Sequence, residues 1–562
     1  MKRGKEYDGE KQSSKNKRSK SFDNTGELNV NGDGIVTFKN ENGDEQILEN
    51  LELYKKQYGL FSKRIAELLI VYQTYVINVT KTNGMDALAP PLPTPPISKS
   101  GLTFKSHQLK CFNDIIRVKN GRAVLALPMG FGKTAVGCAI AKHYGGPILI
   151  TTTRDLLGGW MEHIKEWTDL PKIISLNTGA KSIKLLEKIS AEERSSIVIC
   201  ASMGLLINKE LLSVLQSWNF KTVIVDEAHR IKNHDSQSAK AIISITDRCR
   251  CCLLVTATPI LNRGSELFTF MRVLHPSVFV NYYAFSQRYF NGQRNMNTGQ
   301  WKEYGVGRPL ELQAILNTII SNVGKEEQDE YRRQLPNKNR ILHILPEPDD
   351  AFKSSYNILR DEMKRLKEEL EMETCAVNHR RLTTERYKVV FEARKMTSLA
   401  KCAPAAKYIV EDVLPKYEGT NKKIAIFCEF KNTAEKFMEE LLKYGVNSVF
   451  INGEIPGDER REKLVPFRNG TAPEPIVVLS IKSTSVGLEF TPCVTCVGFL
   501  EFSFTPAIMD QAESRAHRTG STEDINCIWM ILSNSYDEET LSIVNNKERV
   551  IDKIFGEPVG KA

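Results

Sequence analysis

The sequence predicts an α/β protein of two doubly wound, parallel-sheet lobes, with helical protrusions between them and a small N-terminal accessory region. Three observations carry this expectation. Short unbroken runs of Val, Ile and Leu alternate with helical patterns after residue 100, the same rhythm returns after residue 420, and a charged, aromatic-rich stretch separates the two. Strands buried on both faces read as continuous apolar runs, the pattern of a parallel sheet covered by helices on each side.

At 562 residues the chain exceeds one ordinary domain, and 41% hydrophobic with 26% charged residues is the balance of a folded globular protein. The formal charge is +9, but residues 1–22 alone hold eight Lys or Arg against three acids. The rest of the chain is only mildly basic, which suits phosphate contacts along a groove without making the whole surface a polycation. Twelve cysteines, set mostly in apolar runs such as Cys251-Cys252-Leu253-Leu254-Val255, read as reduced core thiols in a reducing compartment. Cys493 and Cys496 have the spacing of half a zinc site, but no partner pair stands near them in sequence. The most apolar stretches, including Leu68 to Val79, are too short and too polar to span a bilayer, so no membrane partner is expected.

The elements follow in order. Residues 1–22 contain almost no apolar side chains and are expected to be a disordered basic arm. Within it, Lys2-Arg3 and Lys15-Asn16-Lys17-Arg18 have the spacing of a two-part nuclear import signal, which predicts a nuclear location. A solubilising tail, or a cytoplasmic factory for a virus-encoded protein, are the competing readings. Residues 23–88 form the accessory element: Asn-Gly and Asp-Gly turns mark a hairpin over 23–50, and Leu53, Leu60, Ile65, Leu68, Leu69 and Tyr72 have helical spacing. Prolines make 89–100 a linker. The first lobe spans 101–276, with strands expected at Val124–Leu127, Pro147–Thr151, Ile197–Ala201, Val223–Val225 and Leu253–Thr256. Residues 277–420 are expected as helical protrusions and linker, 421–540 as the second lobe and 541–562 as a tail.

The first strand runs into Met129-Gly130-Phe131-Gly132-Lys133-Thr134 and an apolar helix. Glycines let backbone amides close around phosphate oxygens at a helix N-terminus, Lys133 reaches the β- and γ-phosphates of ATP, and Thr134 offers a hydroxyl to Mg²⁺. Strand Val223–Val225 delivers Asp226 and Glu227 to the C-terminal edge of the sheet, where α/β proteins bind ligands. Asp226 is the candidate for the Mg²⁺ shell and Glu227 for orienting the attacking water. Thr256 and Thr258, at the end of another apolar strand, are placed to link the nucleotide to a nucleic-acid groove. In the second lobe, Gln511 to Gly520 reads as a helix on which Arg515 and Arg518, three apart, share a face and project toward the phosphates. The bland alternatives are a solvated Asp-Glu turn and a solvated basic helix. Interleaved aromatic and basic residues from Tyr282 to Arg308 suit either a DNA clamp or core packing of a protrusion.

Taken together and in this order, Phe104-Lys105-Ser106-His107-Gln108, the Lys133 loop, Asp226-Glu227-Ala228-His229-Arg230-Ile231-Lys232-Asn233, Thr258-Pro259-Ile260-Leu261-Asn262, Val486 to Thr491 and the Arg515 segment resemble the Swi/Snf-type ATPases of helicase superfamily two. The resemblance covers roughly residues 100–535. It implies two RecA-like lobes, Gln108 reading adenine, and Ser483, Thr484, Gly487, Thr491 and Gln511 coupling DNA to the cleft. Phe499, Glu501, Phe504 and Pro506, with Arg288-Tyr289-Phe290 and Trp301, look most like the annealing-helicase (HARP-like) branch. The chain departs from that branch in having Phe504 for Trp, Ala257 for Gly, and no M-I-R-R-x-K segment ahead of Leu335-Pro336-Asn337-Lys338, with Asn322-Val323-Gly324-Lys325 near that place. The implied function is ATP-dependent translocation on double-stranded or branched DNA, with DNA reannealing or fork remodelling as the task and chromatin or replication and repair factors as partners. A nucleosome-remodelling ATPase and a catalytically silent DNA-binding scaffold are the rival readings.

Overall fold

The computed structural model of the chain describes residues 27–30, 36–39, 45–47, 61–71 and 97–555, except 171, 177, 258, 260–263, 296–298, 374, 456, 482–489 and 518–520. The basic arm, most of the proline linker and the last residues of the tail lie outside this set.

The first lobe is a sheet of β1 (Arg122–Ala126), β2 (Ile148–Thr152), β3 (Lys172–Leu176), β4 (Ile197–Ser202), β5 (Thr222–Asp226), β6 (Cys251–Thr256) and the short β7 (Ile320–Ser321). Their order is β7-β1-β6-β5-β2-β4-β3, and every pairing is parallel. Side chains alternate between two cores. Val223 and Val225 join Leu149, Ile199 and Leu254 on one face, whereas Ile224 joins Ile150, Val198 and Leu253 on the other. Burying each such side chain contributes about 1.5–3 kcal/mol, so the continuous apolar runs are what a two-sided sheet needs. Helices α1 (Ser106–Arg117) and α2 (Lys133–Tyr144) add Cys111, Phe112, Ile115, Val136 and Ile140 to the second core.

The accessory region is an antiparallel hairpin, Glu27–Val30 with Val36–Lys39, extended by Glu45–Ile47. Helix 61–71 is not a separate body: Ile65, Ala66 and Leu69 are buried in the first-lobe core, and Ser62 Oγ accepts a hydrogen bond from Arg288 Nη1 at 3.1 Å.

The second lobe comprises β8 (Lys338–Leu345), β9 (Lys423–Cys428), β10 (Ser448–Ile451), β11 (Ile476–Ser480), β12 (Val494–Phe499) and β13 (Ile525–Leu532). The order is β8-β13-β12-β9-β11-β10, again all parallel. The expected 277–420 insertion is therefore divided differently. Helix Pro309–Ile319 and β7 complete the first lobe, α3 (Lys325–Arg333) crosses between lobes, and β8 pairs with β13 along eight residues. Only α4 (Asp350–Met372) and α5 (Ala376–Tyr408) form the helical protrusion. The pattern hid this because β7 is two residues long and β8 mixes Lys, Asn, Arg and His with its aliphatics.

The aromatic and basic residues after Tyr282 largely build core. Phe285, Tyr289 and Phe290 are buried, and the fully buried Glu311 receives Arg288 Nε at 2.6 Å and the Tyr289 hydroxyl at 2.6 Å. Trp301 Nε1 donates to Ser286 Oγ at 2.8 Å. All cysteines except Cys375 are buried, and burial pushes the Cys496 thiol up to about 12. Among the described residues no helix is long and apolar enough to cross a membrane.

Candidate nucleotide-binding cleft

Strand β1 ends at Ala126 and hands the chain to a loop that turns into α2 at Lys133. The turn needs left-handed backbone at Gly130 (φ +82°) and Gly132 (φ +73°). Gly132 is doubly required, because a Cβ there would stand 2.0 Å from Gln108 Nε2. Gln108 Nε2 donates to the Phe131 carbonyl at 3.3 Å, and His107 Nε2 lies 3.1 Å from the same oxygen. Gln108, the expected adenine reader, is thus held against the phosphate loop by its own helix α1. Lys133 Nζ donates to the carbonyls of Leu127 (2.9 Å) and Pro128 (3.0 Å), so its charge is held over the loop where phosphates would lie.

Asp226 closes β5 and Glu227 follows in the left-handed region at φ +52°, a conformation that costs a non-glycine residue about 1 kcal/mol and is kept where geometry matters. Asp226 Oδ2 accepts from Trp160 Nε1 at 2.8 Å and from Thr152 Oγ1 at 3.2 Å, and Oδ1 accepts from the Glu227 amide at 2.9 Å. Burial, reinforced by the Glu227 charge, raises the Asp226 carboxyl to about 6. Two adjacent, half-buried carboxylates form a donor set that favours a hard cation. Trp160 and Thr152, which hold Asp226, were missed by motif reading; the Thr151-Thr152-Thr153 run at the end of β2 was the available clue.

His229 Nδ1 lies 3.2 Å from Glu227 Oε2 and 3.4 Å from Thr256 Oγ1. Burial lowers the His229 imidazole to about 4, so at neutral pH the contact to Glu227 is made by a neutral ring and is not an ion pair. Thr256, expected to link the nucleotide to a nucleic-acid groove, is fully buried at the end of β6, where its hydroxyl meets His229.

The second lobe faces this edge across a cleft of ≈1140 Å³, lined on one side by Pro128, Met129, Phe131 and Ala257 and on the other by Asp510, Gln511, Ser514 and His517. The expected 511–520 helix is shorter: α6 (Pro506–Glu513) gives way to turns in which the Arg515 amide bonds to Ala512 and the Ala516 amide to Glu513. Arg515 follows the helix and is buried, 7% exposed, so it does not project from a continuous helical face. Its carbonyl accepts from the Phe490 amide at 3.2 Å. The segment is anchored by Glu513, fully buried, which receives Lys338 Nζ at 2.6 Å, Arg340 Nη2 at 2.8 Å and Trp529 Nε1 at 3.1 Å. Burial alone would raise the Glu513 carboxyl, but Arg340 and Lys338 hold it below its ordinary value. Gln511 lies on the cleft wall. Thr491 is half-buried in the turn entering β12, next to Phe490, whose amide bonds to the Arg515 carbonyl. Thr258, Ser483, Thr484, Gly487 and Arg518 lie outside the described residues.

A phosphate-type loop after β1, an acidic pair at the end of β5 two strands away in the same parallel sheet, and a second parallel-sheet lobe across the cleft define a two-lobed, helicase-type nucleotide-binding protein. Comparison with known families is specific within that class: the SNF2-related domain matches residues 12–394 and the helicase conserved C-terminal domain residues 406–520. The chain belongs to the SNF2-related family. It is 27% identical over 463 residues to the DNA annealing helicase and endonuclease ZRANB3 of Bos taurus, covering 81% of this chain and 40% of that protein. It is 26% identical over 450 residues to the SWI/SNF-related matrix-associated actin-dependent regulator of chromatin subfamily A-like protein 1 of Drosophila melanogaster, covering 79% and 55% respectively. The chain thus spans roughly half the length of these relatives or less. Among solved structures, the Sulfolobus solfataricus SWI2/SNF2 ATPase core in complex with dsDNA matches at 19% identity and a TM-score of 0.39, over 83% of this chain and 96% of that one. The resemblance to Swi/Snf-type ATPases, and among them to annealing helicases, agrees with the family and curated relatives found.

Proposed function

We propose that the chain is an ATP-dependent double-stranded-DNA translocase. The carrying observation is that the phosphate loop of one lobe (Pro128, Met129, Phe131) and the Gln511–His517 segment of the other line a single cleft, while the acid pair Asp226-Glu227 closes β5 of the same first-lobe sheet. On ATP binding, Lys133 exchanges the Leu127 and Pro128 carbonyls for the β- and γ-phosphates. Glu227, steadied by His229, orients a water and takes its proton as the water oxygen bonds to the γ-phosphorus; the bond to the β–γ bridging oxygen breaks, leaving ADP and phosphate. The Thr134 hydroxyl and the half-buried Asp226 carboxylate fit Mg²⁺, which when bound would neutralise phosphate charge. Arg515 and Arg518 supply positive charge from the second lobe once it closes.

Duplex DNA spanning both lobes would favour closure and so raise turnover, with Ser483, Thr484, Gly487 and Gln511 as the coupling residues. The name of the annealing-helicase relative supports DNA reannealing as the task, with fork remodelling as the alternative, and the basic arm supports a nuclear location. The test is steady-state ATPase activity with blunt duplex, forked duplex, single-stranded DNA and nucleosomes. Stimulation by duplex, greatest for forks, is expected; DNA-independent turnover overturns the reading, and stimulation by nucleosomes alone replaces it with a remodeller.

A further inference from the structure

The crossing between the lobes carries an aromatic clasp on the phosphate loop. Helix α3 is fastened to the first lobe by Lys110 Nζ on Glu327 Oε1 at 2.8 Å. From it Tyr331 is buried against the loop: its ring centroid is 4.2 Å from that of Phe131 and 4.9 Å from that of His107. Lys105 Nζ stands 4.7 Å over the same ring, and the Tyr331 hydroxyl is 3.4 Å from the Gly130 carbonyl. Phe131 lies between the two left-handed glycines, so a loop that rearranges around phosphate moves the side chain on which Tyr331 rests.

The same stretch is pinned at its other end to the arginine-bearing segment. His517 Nε2 lies 2.8 Å from the Pro336 carbonyl, the Asn337 amide donates to Asp524 Oδ1 at 2.8 Å, and Lys338 and Arg340 close on Glu513. Residues 331–340 thus run from contact with the Gly130-Phe131-Gly132 turn to contact with the residues flanking Arg515. Nine residue steps can transmit displacement only if both ends are held, and here they are held by packing at one and charged hydrogen bonds at the other.

We propose that Tyr331 is a positioning residue that couples occupancy of the phosphate loop to the placement of the Arg515 segment, through the strap 331–340. The proposal rests on the ATPase reading above. When phosphates displace Lys133 from the Leu127 and Pro128 carbonyls, the Phe131–Tyr331 contact shifts α3, and the strap carries the Glu513 anchor with it. Coupling energies between protein sites correspond to about 5- to 150-fold effects, and a single aromatic contact belongs at the low end.

The experiment compares wild type with Tyr331→Ala, Tyr331→Leu and Tyr331→Phe. Each carries a donor and acceptor dye pair, one dye in each lobe, and is measured with and without Mg-ATP and duplex DNA beside kcat and KM. Expected for Tyr331→Ala is loss of the ATP-induced change in inter-lobe transfer and a fall of about 5- to 10-fold in DNA-stimulated kcat, with KM moving less. Tyr331→Phe keeps the ring and retains most of both responses. If Tyr331→Ala does not fold, Tyr331→Leu, which keeps apolar bulk, is read in its place. Normal kcat and a normal inter-lobe response in Tyr331→Ala, or in Tyr331→Leu where the alanine variant does not fold, overturn the proposal, as does a defect confined to KM. Absence of DNA stimulation in the wild type would instead overturn the ATPase reading.

Discussion

Arg460 of the second lobe places Nη2 3.4 Å from Asp155 Oδ1 of the first, where both line a ≈340 Å³ pocket between the lobes. Arg460 is 6% exposed and its Nε has no hydrogen-bond partner, so the pair is only half satisfied on the arginine side. Such an arrangement ties the lobes together and leaves a buried cation with spare donor capacity.

Asp155→Asn therefore should loosen the lobes and free Arg460 for phosphate. Inter-lobe distances measured by pulsed electron resonance should broaden, and duplex affinity at low salt should rise, on the order of threefold, with the gain shrinking as salt increases. A narrow, unchanged distribution would show that the pair does not hold the lobes.

Lys133→Ala should reduce turnover by ~10²-fold or more, since it removes the positive charge placed over the phosphate loop, whereas Glu227→Gln should keep ATP bound but unhydrolysed. Filter retention of labelled ATP alongside phosphate release separates the two. Near-normal release in either variant would undo the site assignment.

The raised Asp226 carboxyl makes a pH prediction. Because its folded value of about 6 exceeds the ordinary 3.8, the protonated form is favoured by folding; that stabilisation is complete below about pH 4 and is lost as pH rises through 6. At pH 7 Asp226→Asn should thus stabilise the nucleotide-free protein, by roughly 2–3 kcal/mol at most, while turnover falls steeply, and the stability gain should vanish near pH 4. Mg²⁺ should raise the melting temperature of the wild type more than that of the variant. Equal melting temperatures at pH 7 without metal would contradict the buried-charge account.

Glu513→Ala leaves Lys338 and Arg340 without their shared carboxylate and should cost about 3–5 kcal/mol of stability, the usual penalty for breaking a buried ion pair. Glu513→Gln keeps hydrogen bonds and should cost less, so a comparison of urea midpoints orders the three proteins. Arg515→Ala and Arg518→Ala should instead spare stability of the first lobe and lose most of the DNA-stimulated rate, on the order of 10³-fold for whichever acts at the transition state.

The central strands and the first-lobe catalytic motifs were legible because each is local. Val223-Ile224-Val225-Asp226-Glu227 states in five residues a two-sided strand and the carboxylates at its end, and Gly130-Phe131-Gly132-Lys133-Thr134 states a turn that only glycine permits and the cation that follows it. The same locality explains what was misread. Gln511 to Gly520 has helical spacing, but spacing says nothing of Glu513 being drawn to Lys338 and Arg340 from 173 to 175 positions away, after which the helix ends and Arg515 is buried.

By itself, then, the sequence determined the α/β class, the doubling of the lobes, the nucleotide-binding loop and the acidic pair, because periodicity and short-range turn chemistry are properties of neighbouring residues. Only the tertiary structure decided that β8 belongs to the second sheet, that Thr256 is buried against His229, that Trp160 and Thr152 hold Asp226, and that Tyr331 rests on Phe131. These are pairings between residues tens to hundreds of positions apart, and their partners are chosen by which packing buries the most apolar surface while leaving buried charges such as Glu513 hydrogen-bonded.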